Sequence, residues 1–165
     1  MRGALAAALL TLSLSAAPAP LRNAGSAAEV LRSFRPDARV RVVNLWATWC
    51  VPCVAEIGDL EAVSRKFRDQ GLEVIGLSLD DAIPDTRVKR RELVTTFLTK
   101  HHVSYRNLYF TGRTSELADQ FRFDGSIPIT IVFDADGREL LRNEGILDRK
   151  AFGQKLENLL KRRKR

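Results

Sequence analysis

The chain holds two cysteines, and they stand three positions apart in Trp49-Cys50-Val51-Pro52-Cys53. Two thiols at this spacing can close a small disulfide and open it again, which moves two electrons. The flanking residues say where the pair sits. Arg39 to Ala47 reads Arg-Val-Arg-Val-Val-Asn-Leu-Trp-Ala, an alternation running into an apolar stretch, as in a strand entering a buried sheet. Pro52 opens the next segment, and proline is favoured in the first turn of a helix. A helix start carries unpaired N–H groups and the positive end of the helix dipole, and both stabilise a thiolate. Cys50 is therefore expected as the nucleophile. Cys53, about one turn further on and facing inward, is expected to resolve the mixed disulfide.

The elements that must hold this pair follow from spacing. Val54, Ile57, Leu60, Val63 and Phe67 recur every three to four residues, an amphipathic helix ended by Gly71. Leu72 to Leu79 reads as the next buried strand, closed by Asp80-Asp81. Asp85 is expected to cap a helix with Val94, Phe97 and Leu98 on its apolar face, and Ser115 a short helix through Phe121. Ile127 to Phe133 is expected as a strand, Asp136-Gly137 as a hairpin turn and Glu139 to Asn143 as the return strand. Asp148 is placed as the cap of a last helix carrying Phe152, Leu156, Leu159 and Leu160. Ahead of all this, Ser26 to Phe34 has a short helical pattern. The order predicts an α/β domain over residues 22–160, with helices on both faces of a central mixed β-sheet.

The first residues read as an address. Arg2 supplies a basic start, Gly3 to Leu14 is an uncharged Ala/Leu run, and small residues and prolines follow from Ser15 to Pro20. Residues 1–19 are expected as a secretory signal peptide or an uncleaved anchor, with cleavage after Ala19 or near Ser15 and Ala16. Export to the bacterial periplasm or another extracytoplasmic space is implied, where disulfides persist unless something reduces them. The net charge of +7 over 165 residues is mostly a tail: Lys161 to Arg165 are all basic, and without them it falls to +2. That tail, residues 161–165, suits a weak contact with an anionic surface or a frayed helix end. No aromatic-interleaved basic patch or phosphate loop is present, so no nucleic-acid partner is expected.

With these residues in view, Asn44-Leu45-Trp46-Ala47-Thr48-Trp49-Cys50-Val51-Pro52-Cys53 resembles the active-site segment of the thioredoxin superfamily. It is most similar to the exported TlpA/ResA-like thiol-disulfide oxidoreductases, with their N-F-W-A-T-W-C-x-P-C-x-x-E pattern. The likeness returns at Gly71 to Ser78, at Ser126-Ile127-Pro128-Ile129-Thr130 and at Phe133 to Gly137. It implies a thioredoxin-like fold and a redox-active Cys50–Cys53 disulfide. It also implies a cis Ile127–Pro128 bond opposite the dithiol, with the backbone of Ile127 docking a client strand. Trp49 and Pro52 would line that groove with Pro128. Glu56, three residues past Cys53, matches a glutamate near the dithiol in the ResA-like branch, where it can take or return the Cys53 proton. The alternative is a solvated helix glutamate. Asn44 stands where classical thioredoxins carry a buried aspartate, and an amide cannot act as a base. One departure is clear: Leu21 to Arg39 lacks the P-x-F-x-L-x-D-x-x-G hairpin of many ResA-like proteins.

The implied activity is reduction of client-protein disulfides outside the cytoplasm. No cofactor is needed, because the dithiol is the redox centre. The implied partners are a client bearing a disulfide or thiol pair and a membrane-bound electron donor or acceptor. Clients in cytochrome c maturation or copper-site assembly fit the resemblance. Two other readings stay open: a thioredoxin-like Cu(I) metallochaperone, since two thiolates suit a soft metal, and a non-catalytic interaction module with a structural disulfide. No metal site is expected. His101-His102 point apart at a helix end, and Asp80-Asp81 with Asp85 lacks the spacing of a calcium loop.

Overall fold

The structure is a computed structural model that describes residues 20–82 and 89–162. The expected leader at 1–19, the cap at Asp85 and the last three residues of the basic tail lie outside the described residues. Two runs of buried β-branched and apolar residues form the middle of the sheet. β2 (Val40–Trp46) and β3 (Leu72–Ser78) each have one half-buried residue and are otherwise buried. They pair in parallel from Val40↔Leu72 to Trp46↔Ser78. Strands covered on both faces read as near-continuous apolar runs, and these two do.

Among the described residues six strands make one mixed sheet in the order β1-β4-β3-β2-β5-β6. β1 (Arg22–Ala24) and β4 (Arg106–Phe110) run parallel to β3. β5 (Ile129–Asp134) runs antiparallel to β2, and β6 (Glu139–Glu144) returns antiparallel to β5. The fold is thioredoxin-like, as expected. β1 was not foreseen, because three residues are too few to show alternation. It pairs through Arg22↔Leu108 to Ala24↔Phe110, and Thr111 N donates to Ala24 O at 2.9 Å.

The period-2 pattern divides the core. Val40, Val42 and Trp46 of β2 pack with α2 (Val51–Phe67), α3 (Arg90–Lys100) and α5 (Arg149–Arg162). Val43 and Leu45 face the other way, toward α1 (Ala27–Arg32) and α4 (Ser115–Phe121). Asn44 therefore lies on the face that α2 covers. Caps differ in two places. α4 starts after Thr114, without a side-chain cap bond, so Ser115 is its first residue rather than its cap. α3 starts after Lys89, also without a side-chain cap. Asp148 does cap α5, accepting from Ala151 N at 2.9 Å. His101 ends α3 with its ring stacked on Phe97, centroids 4.2 Å apart, and His102 takes a left-handed φ of 52°.

Close contacts hold α2 and the sheet in register. Glu61 on α2 accepts from Ser104 N at 2.8 Å and Ser104 Oγ at 2.6 Å, which ties the helix to the segment before β4. Gly76 of β3 passes against Asn107, whose Oδ1 accepts from Trp46 Nε1 at 3.1 Å. A Cβ on Gly76 would stand 2.0 Å from that oxygen.

Candidate active site

The site lies at the carboxyl ends of β2 and β3, where α2 begins. Chain leaving a central parallel strand must turn there, and ligand-facing crevices of open α/β sheets form at such ends. Cys50 is the N-cap of α2 and Pro52 falls in the first turn. Cys53 N lies 3.3 Å from Cys50 Sγ, inside the first turn of the helix. The two cysteines form a disulfide with their Cα atoms 5.2 Å apart. Cys53 is fully buried. Cys50 is 6% exposed, more covered than a bare helix start would leave it. Its neighbours Trp49 and Val51 are 46% and 80% exposed, so the pair is approached across an apolar rim.

The cover over Cys50 comes from the loop before β5. The Ile127–Pro128 bond is cis, and Ile127 O lies 3.8 Å from Cys50 Sγ. Ile127 is half-buried and Pro128 buried. Pro128 O in turn accepts from Gly145 N at 2.9 Å, which brings the β6–α5 loop and the exposed Ile146 to the same place. Trp49 and Ile127 also line a pocket of about 240 Å³, together with Leu79, Phe123 and Gly125.

Glu56 is not a solvated helix residue. It is 1% exposed, on the face of α2 that packs on β2. Its Oε1 accepts from Asn44 Nδ2 at 2.7 Å, and its Oε2 accepts from Leu147 N at 3.0 Å. Asn44 Nδ2 also donates to Thr130 Oγ1 at 3.0 Å. Burial pushes the carboxyl up from an ordinary 4.5 to about 7, and nearby Asp59 adds to that push. The bonds from Leu147 and Asn44 pull the other way and are outweighed. A group poised near neutral pH can exchange a proton with little driving-force penalty in either direction.

Several contacts here escaped the sequence reading. Thr130 was read only as a strand residue of the Ile-Pro motif, and Leu147 and Gly145, far from the dithiol along the chain, carry no motif. Asp80 is 1% exposed and accepts from Thr48 N at 3.1 Å, from the Thr48 hydroxyl and from Ser78 Oγ at 2.7 Å. The parallel register that pairs Trp46 with Ser78 brings Thr48 and Asp80, each two past its strand end, side by side. Among the described residues no group of three or more His, Cys, Asp or Glu is arranged to hold a metal ion.

A mixed sheet of this order, with a disulfide at the start of α2 facing a cis proline, defines a thioredoxin-like protein of the dithiol type. The chain belongs to the AhpC/TSA family, whose profile matches residues 21–138. It is 27% identical over 112 residues to thiol-disulfide oxidoreductase ResA of Oceanobacillus iheyensis, covering 66% of this chain and 52% of that protein. It is 28% identical over 127 residues to thiol:disulfide interchange protein HelX of Rhodobacter capsulatus, covering 75% of this chain and 62% of that one. The chain thus spans about half the length of ResA and somewhat more of HelX. Among solved structures it is similar to a thiol:disulfide interchange protein of the thioredoxin family from Chlorobium tepidum. That likeness has a TM-score of 0.64 at 22% identity, over 87% of this chain and 96% of the other. It carries the fold.

Proposed function

We propose that the protein is a thiol-disulfide oxidoreductase that reduces disulfides in client proteins outside the cytoplasm. The observation that carries this is the Cys50–Cys53 disulfide at the start of α2, with Cys50 Sγ 3.8 Å from the carbonyl of the cis Ile127–Pro128 unit. Relatives named as thiol-disulfide oxidoreductases support it.

In the reduced enzyme, the Cys50 thiolate attacks one sulfur of the client disulfide. A Cys50–client S–S bond forms, the client S–S bond breaks, and the released client thiolate takes a proton. Cys53 then gives up its proton, with Glu56 as the acceptor, and its thiolate attacks Cys50 Sγ. The Cys50–Cys53 bond forms and the second client thiolate leaves. Two electrons have passed to the client, and an external dithiol donor of the membrane must restore the pair. Ile127 O and the rim of Trp49 and Pro52, with the buried Pro128 shaping the loop behind Ile127, hold the client segment during both steps. The Val51-Pro52 pair holds no charge and no histidine to stabilise the thiolate further, which supports the reducing direction.

Residues 1–19 act as the export signal or anchor, residues 22–160 as the redox domain and 161–165 as a basic tail. Clients of the classes implied by the resemblance, in cytochrome c maturation or copper-site assembly, present cysteine pairs that must be kept reduced. The test is reduction of insulin disulfides with dithiothreitol as donor. The wild type accelerates it, and Cys50→Ser abolishes the acceleration. Cys53→Ser traps a mixed disulfide that gel electrophoresis without reductant detects. Full activity in Cys50→Ser refutes the assignment.

A further inference from the structure

Two buried acids flank the dithiol, and the reaction above uses only Glu56. The other is Asp80, 1% exposed, in the turn that follows β3. Its two oxygens receive Thr48 N at 3.1 and 3.2 Å, the Thr48 hydroxyl, and Ser78 Oγ at 2.7 Å. Every one of these contacts is donated to Asp80, the pattern of a carboxylate. The strand ends are already joined without it, since Leu79 N donates to Trp46 O at 2.8 Å. Asp80 reaches past that join to grip Thr48, two residues ahead of Cys50. Burying a carboxylate is a costly way to hold a turn, and a neutral acceptor would satisfy the same N–H. What the charge adds is a field at the dithiol.

We infer that Asp80 is a positioning residue that clamps the Thr48–Cys50 turn and, through its buried charge, makes the Cys50–Cys53 pair more reducing. The inference rests on the oxidoreductase reading. Two residues span at most about 7 Å, so the carboxylate lies on the order of 10 Å from Cys50. The N-terminus of α2 favours the Cys50 thiolate, and Asp80 opposes it. Destabilising the thiolate destabilises the reduced form, which then gives up its electrons more readily. At that separation and an effective dielectric near 20, one charge is worth about a tenfold change in an equilibrium constant.

The experiment separates clamp from charge with two variants of the full chain. Asp80→Asn keeps the shape and removes the charge. Equilibrated with glutathione buffers, it is expected to shift about tenfold toward the reduced form, about 30 mV more oxidising. The Cys50 thiolate, followed by its ultraviolet absorbance, is expected to form at lower pH. Thr48→Val keeps the charge and removes the hydroxyl donor. It is expected to slow insulin reduction about fivefold, the worth of one hydrogen bond, with the potential unmoved. A folded Asp80→Asn protein with the wild-type potential and thiolate titration overturns the electrostatic role. Wild-type exchange rates in Thr48→Val overturn the clamp, and if Asp80→Asn fails to fold, the same potential and thiolate measurements on Asp80→Ser, which also removes the charge, decide the electrostatic role. A wild type that does not exchange disulfides at all refutes the functional reading instead.

Discussion

Glu56 shows how burial rather than residue type sets a side chain's chemistry. It stands on the dithiol helix, and Asn44, Thr130 and Leu147 surround it with hydrogen-bonding groups of no charge, while Asp59 repels it. With its pKa raised from 4.5 to about 7, the folded protein holds a proton that the unfolded chain has already lost across that interval. Stability therefore falls as pH rises from 4.5 to 7 and levels off above, by up to about 3 kcal/mol for this shift. Glu56→Gln is expected to flatten that slope in urea unfolding at a series of pH values. It is also expected to remove the rise in thiol-exchange rate near pH 7; an unchanged rate profile excludes Glu56 as the proton acceptor. The glutamine is accommodated if the Asn44 amide turns over, because Asn44 Oδ1 has no partner among the described residues and Thr130 can donate as well as accept.

At the scale of elements, the site depends on how closely β3 and β4 approach. Gly76 and Asn107 pair across those strands, and the Asn107 amide occupies the space a side chain at 76 would need. The same amide holds the Trp46 indole at 3.1 Å, at the end of the strand that leads to the dithiol. Gly76→Ala is expected to cost about 2 kcal/mol by overpacking, read as a lower urea midpoint. Because Trp46 shifts with Asn107, exchange activity should fall in the same variant. A variant as stable as the wild type shows that the sheet can part at this point. The β5–β6 hairpin carries a second device. Asp134 is fully buried and accepts from Asp136 N at 3.0 Å and Arg138 N at 2.8 Å, which builds the turn that Asp136-Gly137 announces.

For the whole molecule, the property that integrates these parts is the reduction potential. Helix α2 favours the Cys50 thiolate, while two buried acids and an uncharged Val51-Pro52 pair do not. That balance is expected to place the protein near the reducing end of the dithiol range, close to the roughly −270 mV of thioredoxin rather than the roughly −120 mV of a strong periplasmic oxidant. Equilibration with dithiothreitol and glutathione buffers measures it. A value at the oxidising end reverses the direction of electron flow while leaving the site in place.

The sequence by itself determined the class of chemistry and most of the elements. The cysteine spacing, the buried strand ahead of it and the periodicity of α2 are local signals, and local signals survive without a fold. Gly71, Asp148 and Asp136-Gly137 marked ends and turns for the same reason. β1 was hidden because its three residues are a strand only through their pairing with β4. The state of Glu56 was half legible: its place beside the dithiol came from helix spacing, but its full burial came from the sheet face it covers. Thr130, Leu147 and Gly145 enter the site from the far end of the chain, and Asp80 from the next strand. Their roles rest on hydrogen bonds between atoms that only the parallel β2–β3 register and the returning β5–β6 hairpin bring within 3 Å or so. Which side chains can do chemistry was written in their types; which of them meet, and in what dielectric, was decided by the packing.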